Sequence, residues 1–345
     1  MSDSNTDKPS RLTRRNVIAA AGISGVTALA GCTGGDTGGA DDGSPSYTIN
    51  IGSTYEPGHI LVRTAEDFKE RIEAASDGRF SVTVTPGGSL GGEEDIVRAV
   101  QSESIEAQTG GGIPISMYAP EYYFVDTPFI IDDWDQYQRV VDSDAFQPAL
   151  DKIIEQGRQR SLGVVYRGVR HFTANKPVRT PADVQGVNLR LPQLEDWVAI
   201  WEEIGASPTP VALDELYSAL QQGVADASEG PAQQVSAFSL EEVQSHYSLT
   251  NHMIQTGGLY ISEPFFQQLS ADDQDLVLET GSAACEWASN TAIEEEESLI
   301  DGLEERGMTI VRDVDADAFR DAGTPAVERL FDEKYALSWD DVRNA

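Results

Sequence analysis

An alternation that begins at Tyr47 constrains this chain more than any other feature. Tyr47, Ile49 and Ile51 repeat with the period of two that a strand requires. Leu61, Ala65, Phe68 and Ile72 then repeat at helical spacing. Phe80, Val82 and Val84 return to period two, and Ile96, Val97 and Val100 mark a second helix. Strands and helices taken in turn predict an α/β protein with a mostly parallel sheet covered on both faces. Further on, the spacing predicts helix over 135–156 and strand over 162–166. One long helix follows over 271–306, with Leu276, Ala283, Trp287, Leu299 and Leu303 inward, and then a late strand at 308–311. The acidic run 294–297 reads as a solvated face. A chain of 345 residues is long enough for two lobes, each with its own core.

Charge excludes one class of partner. Acids outnumber bases 58 to 24, giving a net charge of −34, and only five of the bases are lysines. Nucleic-acid binding needs a basic face, so no such partner is expected. An acidic, lysine-poor surface resembles proteins of extreme halophiles and points to a halophilic archaeon as the source.

The N-terminus reads as an export signal. Arg14 and Arg15 precede a weakly apolar run that ends in Leu29-Ala30-Gly31-Cys32. Paired arginines before such a run resemble a twin-arginine signal, and the tetrapeptide resembles a lipobox with Cys32 as the lipidated residue. Residues 1–32 are therefore the predicted lipoprotein signal. Residues 33–46, rich in glycine, aspartate and serine, are a flexible tether. Cleavage before Cys32 would leave 20 bases against 56 acids, a net charge of −36. The other cysteine, Cys285, sits in a helical pattern and reads as a small buried hydrophobe.

Chemistry concentrates between 162 and 231. In Val187-Asn188-Leu189-Arg190-Leu191 apolar and polar residues alternate, and Pro192 ends the run. Arg190 thus projects near the C-terminal end of a short strand, where open α/β sheets bind ligands. Its planar fork matches a carboxylate. Arg170 is a second candidate cation, placed in a loop after the 162–166 strand. The loop Gly87-Gly88-Ser89-Leu90-Gly91 satisfies the G-x-S-x-G pattern between a strand and a helix, which keeps a secreted hydrolase using Ser89 as an alternative. The four histidines (His59, His171, His246, His252) show no metal-ligand spacing, so no metal site or cofactor is expected.

Several motifs in this stretch stand in one order. They are Arg170-His171-Phe172-Thr173 with Asn175-Lys176, then Thr180-Pro181-Ala182-Asp183, then Leu189-Arg190-Leu191-Pro192. Next come Gly205-Ala206-Ser207-Pro208-Thr209-Pro210, Glu215-Leu216-Tyr217 with Ala219-Leu220-Gln221, and Glu229 with Pro231. The stretch resembles the substrate-binding proteins of tripartite ATP-independent periplasmic (TRAP) transporters, of the C4-dicarboxylate-binding, DctP type. Weaker similarity extends from about Tyr47 to Leu303.

The resemblance implies a two-lobed periplasmic-binding-protein-like fold closing by hinge motion, with the long helix spanning both lobes. Lobe 1 would be 47–167 plus 256–289, and lobe 2 would be 168–255 plus 290–345. It implies a receptor outside the cell, lipid-anchored to the outer face of the membrane, that captures a small organic acid and catalyses nothing. The receptor would pass the acid to the small and large subunits of an ion-driven permease. A receptor for an ATP-driven importer is the other binding-protein alternative. Arg190 and Arg170 would lie beside the ligand. Thr54, Glu93, Leu213, Glu229 and Gly230 complete the implied substrate site. Members that bind sialic acid have asparagine at the place of Thr54, aspartate at Glu93 and phenylalanine at Leu213. They have Glu-Asn-Pro where this chain has Glu229-Gly230-Pro231. With the arginines kept and the pocket changed, the implied ligand is a different organic acid.

Overall fold

The computed structural model describes residues 47–345. The predicted signal, Cys32 and the tether lie outside the described residues. Among the described residues no helix is long and apolar enough to cross a membrane.

The strands are β1 (Tyr47–Gly52), β2 (Phe80–Thr85), β3 (Ala107–Gly110), β4 (Gln159–Ala174), β5 (Asn188–Leu191), β6 (Ser207–Pro210), β7 (Ala227–Gly230), β8 (His246–Ser262) and β9 (Thr309–Val311). They form one sheet in the order β2-β1-β3-β8-β4-β7-β5-β6, with β9 added on β8. The βα units give the expected parallel pairs, β1 with β2 and β3, and β5 with β6 and β7. The sheet as a whole is mixed, because β8 runs antiparallel to β3 and β4, and β4 runs antiparallel to β7. The expectation of a mostly parallel sheet missed this, since β4 and β8 carry no clean period-two pattern.

β4 and β8 are 16 and 17 residues long and pair with each other along most of their length. Their pairing slips between Tyr166 and Val169. Gly168 takes a φ of 103° there, a conformation that a side chain would oppose. The predicted strand at 162–166 is therefore only the first part of a longer one, and Arg170 lies inside a strand and not in a loop.

The helix over Ala271–Glu305 is present as expected and Leu303 is buried as expected, but over 276–288 the buried face is displaced by one residue. Val277, Gly281, Ala284, Cys285 and Ala288 face inward, while Leu276, Ala283 and Trp287 are half-buried. Small residues win this face because helix and strand approach closely. A Cβ on Gly281 would stand 2.7 Å from Leu162, and one on Gly163 would stand 2.8 Å from the Cβ of Cys285. The predicted helix over 135–156 is two helices, Trp134–Val141 and Gln147–Gly157.

Cores form on both sides of the long strands. Ile49, Ile51, Phe68, Val165, Leu259 and Val277 belong to one cluster. A larger one joins Phe124, Tyr137 and Phe146 to Phe172, Trp201, Phe319 and Phe331.

Candidate functional site

The sequence Leu189-Arg190-Leu191 forms β5, and both leucines are fully buried. That packing fixes the backbone from which Arg190 projects, and Arg190 itself is only 2% exposed. Its Nε and Nη2 donate to the Val211 carbonyl at 3.0 and 2.8 Å. Among the described residues Nη1 has no hydrogen-bond partner and no carboxylate forms an ion pair with this guanidinium. Burial lowers its pKa from 12.5 to about 10, against the opposing field of Glu229. A buried cation held by one carbonyl and lacking a counterion is costly. In so acidic a protein, it is a fixed positive point available to an anion.

Arg170 lies beside it in field but is differently used. It is 5% exposed, and its Nε and Nη2 grip the Glu229 carboxylate, the latter at 2.5 Å to Oε1. Nη1 donates to Gln255, and the guanidinium lies 4.8 Å from the Trp197 ring centroid. Glu229 also receives His252 Nε2 at 3.1 Å. Burial alone would raise the Glu229 pKa. The charge of Arg170 and the hydrogen bonds from His252 and Arg170 outweigh it and bring the pKa to about 2. Register places these groups together, since Phe172 of β4 faces Glu229 of β7.

A family model described as bacterial extracellular solute-binding protein, family 7, matches residues 51–334. The chain belongs to this family. A solute-binding protein of Roseobacter denitrificans is 30% identical over 280 residues, 81% of this chain and 86% of that protein. The solved structure of a TRAP periplasmic solute-binding protein from Roseobacter denitrificans with bound L-galactonate matches with a TM-score of 0.79 and 28% identity. The match covers 87% of this chain and 99% of that one. A TRAP solute-binding protein from Polaromonas bound to D-erythronate matches with a TM-score of 0.80 and 26% identity, over 86% of this chain and 98% of that one. The protein is thus an extracytoplasmic TRAP solute-binding protein and not an enzyme, and such proteins work with a membrane permease. This separates it from receptors of ATP-driven importers. The hydrolase alternative finds no geometry either. Ser89 is exposed, and its hydroxyl donates only to the Pro86 carbonyl at 3.4 Å.

The structure places the remaining implied site residues of this solute-binding protein in two groups. Glu229 and Gly230 lie on β7, which pairs with the strands that carry the arginines, β4 for Arg170 and β5 for Arg190. A Cβ on Gly230 would stand 2.6 Å from Gln234 Nε2, so Gln234 fills the space that a side chain at 230 would take. Thr54 and Glu93 lie across the long strands. Thr54 Oγ1 is buried without a partner, and Glu93 Oε1 accepts from the Tyr55 hydroxyl and the Gly111 amide, both at 3.0 Å. Leu213 is half-buried and packs on two clusters, the one around Ile49 and Ile51 and one around Leu216 and Leu303.

Sequence reasoning missed three contributors. Glu296, read as part of a solvated run, accepts from the Val169 amide and the Tyr166 hydroxyl, each at 2.6 Å. It thereby clasps the bulge from the long helix. Arg167 is a third buried arginine, 4% exposed. Asp126 is 1% exposed, with Oδ1 accepting from Thr256 Oγ1 at 2.6 Å and Oδ2 buried without a partner. The lone signal for it is an acid directly after the apolar run Tyr122-Tyr123-Phe124-Val125.

Asp126 sets a pH response. Burial raises its pKa from 3.8 to about 6, although Thr256 and the charges of Arg167 and Arg170 pull the other way. The folded state then binds more protons than the unfolded one between about pH 4 and 6, so this group lowers stability as pH rises through that window. Asp126→Asn is expected to raise Tm at pH 7 and leave it nearly unchanged at pH 4, the gain being at most about 2–3 kcal/mol. Equal Tm differences at both pH values in a pH series by calorimetry would contradict the assignment.

Proposed function

We propose that this protein captures a small hydroxy-carboxylate outside the cell, with Arg190 as the fixed partner of the carboxylate. The observation that carries this reading is the burial of Arg190 with no ion-pair partner among the described residues, held on a single backbone carbonyl. An incoming carboxylate would supply the missing charge and accept from the free Nη1. The relatives crystallised with L-galactonate and D-erythronate support an acid of this class. Glu229, consumed by Arg170 and His252, acts as a positioning residue that keeps Arg170 and Trp197 in place at the edge of the site.

The lobes are 47–167 with 256–289, and 168–255 with 290–345. The slip between Tyr166 and Val169 and the clasp by Glu296 support a hinge at that boundary. Cys32 carries the lipid that holds the receptor beside its permease after twin-arginine export, and the acidic surface suits a high-salt surrounding.

Two experiments test this. In a thermal-shift screen of organic acids, a sugar acid present at 100 times its Kd stabilises the native state by about 2.7 kcal/mol and raises Tm. A panel that includes L-galactonate and D-erythronate but moves Tm with no member counts against the reading. For the anchor, Cys32→Ser is expected to shift the protein from the alkaline-washed membrane pellet to the soluble fraction. Equal retention of mutant and wild type would rule out lipidation at Cys32.

A further inference from the structure

The helix Ala316–Glu333 lies along the helix Glu195–Ile204, which carries Trp197. Gly323 permits the close approach, since a Cβ there would stand 3.3 Å from Ile200. Phe319 packs on Trp201, and Arg329 pairs with Glu203 at 2.7 Å. In the division proposed above, every one of these residues belongs to lobe 2.

After Glu333 the chain leaves that surface. The Ala336 amide donates to the Glu121 carbonyl at 2.9 Å, and Gln136 Nε2 donates to the Val342 carbonyl at 2.9 Å. The rings of Phe331 and Tyr335 each lie 5.7 Å from that of Phe124. Glu121, Phe124 and Gln136 belong to lobe 1. Residues 336–342, placed with lobe 2 by sequence order, therefore rest on lobe 1.

One polar cluster stands at this crossing. Asp196, on the helix Glu195–Ile204, is buried, and its two oxygens accept from Lys334 Nζ at 2.7 and 2.6 Å. Its Oδ2 also accepts from the Tyr335 hydroxyl at 2.8 Å, and the Tyr335 oxygen is 3.1 Å from Thr127 Oγ1. Burial, and then the charge of Asp196, hold the Tyr335 pKa well above its usual value, so the phenol keeps its proton and gives it to the carboxylate. The Thr127 hydroxyl is then the donor to Tyr335, sharing its proton with the Tyr123 carbonyl at 3.0 Å. One residue away on both sides, Trp197 Nε1 donates to the Asp126 carbonyl at 2.8 Å.

Asp196 and Trp197 lie in lobe 2, and Asp126 and Thr127 in lobe 1. Opening the hinge would pull these buried partners apart, and a buried polar group that loses its partner carries a free-energy penalty. The lobes are in contact in this arrangement, because Leu213 of lobe 2 packs on the cluster around Ile49 and Ile51 of lobe 1. The Tyr335 bridge thus accompanies the closed form.

We propose that Lys334 and Tyr335 form a latch, tied to Asp196 on one lobe and to Thr127 on the other, that favours closure of the empty receptor. Lys334 anchors the Asp196 carboxylate and Tyr335 makes the bridge. The proposal rests on the two-lobe reading and adds an element that sets the balance of open and closed forms without a hydrogen bond to Arg190 or Arg170.

The test is pulsed electron–electron dipolar spectroscopy on the full chain without ligand, in the Cys32→Ser background. Spin labels are placed at two exposed positions, Ser89→Cys in lobe 1 and Glu215→Cys in lobe 2, while the buried Cys285 stays unlabelled. The protein with its latch intact is expected to hold mostly the shorter of two distances. Tyr335→Phe keeps the ring on Phe124 and Phe331 but removes the bridging oxygen. It is expected to move the ratio toward the longer distance by about two- to tenfold, the factor that one hydrogen bond carries. Thr127→Val cuts the same link from the other end and is expected to act alike, with the double variant moving the ratio no further than either single one. A merely structural role would lower Tm and leave the ratio unchanged. Folded variants that keep the original ratio, or an intact latch found mostly at the longer distance, would overturn the proposal and leave the two lobes standing. One narrow distance common to all the proteins would overturn the hinge and the latch with it.

Discussion

Replacing Arg190 with methionine is expected to weaken ligand binding by at least about thirtyfold without harming the fold. Removing the partner of a desolvated carboxylate costs about 2–5 kcal/mol, or roughly thirtyfold to several thousandfold in affinity. The sign of the effect on the empty protein is the sharper part. Arg190 is buried and has no counterion among the described residues, so its charge opposes folding in the absence of ligand. Methionine keeps most of the volume and removes that charge, so the Tm of the unliganded variant should equal or exceed that of wild type. Arg190→Lys keeps a charge but cannot donate two bonds to Val211 while turning a planar fork to the ligand, so binding should weaken there too. Calorimetry with an acid found by the screen, beside thermal melts without it, measures both parts. A variant that binds as tightly as wild type would reduce Arg190 to a structural residue.

The second large effect concerns the pair beside it. Glu229 is fully enclosed by Arg170 and His252. Glu229→Gln leaves Arg170 buried with Gln255 and the Trp197 face as its remaining partners. Breaking a buried pair from one side costs about 3–5 kcal/mol, on the order of 10 °C in Tm for a chain of this size. The double replacement Arg170→Met with Glu229→Gln removes the stranded charge and should recover much of the loss. The loss should also appear in the wild type at low pH. The folded pKa of Glu229 lies near 2, below the unfolded carboxylate value of about 4.3, so its contribution is present above that value and fades as pH falls toward 2. Single and double variants with equal Tm would show that the two side chains do not act as a pair.

Much of this was legible in the residue order, and the exceptions have physical reasons. Period two ending at a proline located Arg190 at the end of β5, because Leu189 and Leu191 obey the local rule that buries them. The βα units from Tyr47 onward were legible in the same way. β4 was cut short at Tyr166 because Gly168 and the arginines on either side of it interrupt the alternation, although the backbone continues through a bulge. Leu303 in the last turn of the long helix is buried as expected, but the inward face of its first half was misjudged because pattern reading favours large apolar residues. The tight approach to β4 instead selects Gly281, Ala284 and Cys285. Glu296 lies in a run of four acids whose other members carry no such clasp, so nothing local distinguishes it. Arg167 and His59 meet across 108 positions of sequence, a separation that no spacing rule reaches.

The carboxylate position in a crystal of the protein with a bound sugar acid tests the central claim most directly. The account predicts a carboxylate oxygen within hydrogen-bond distance of Arg190 Nη1, with Nε and Nη2 still on the Val211 carbonyl and Arg170 still paired with Glu229. A carboxylate seated elsewhere, with Arg190 touching only Val211 as it does in the unliganded chain, would contradict it.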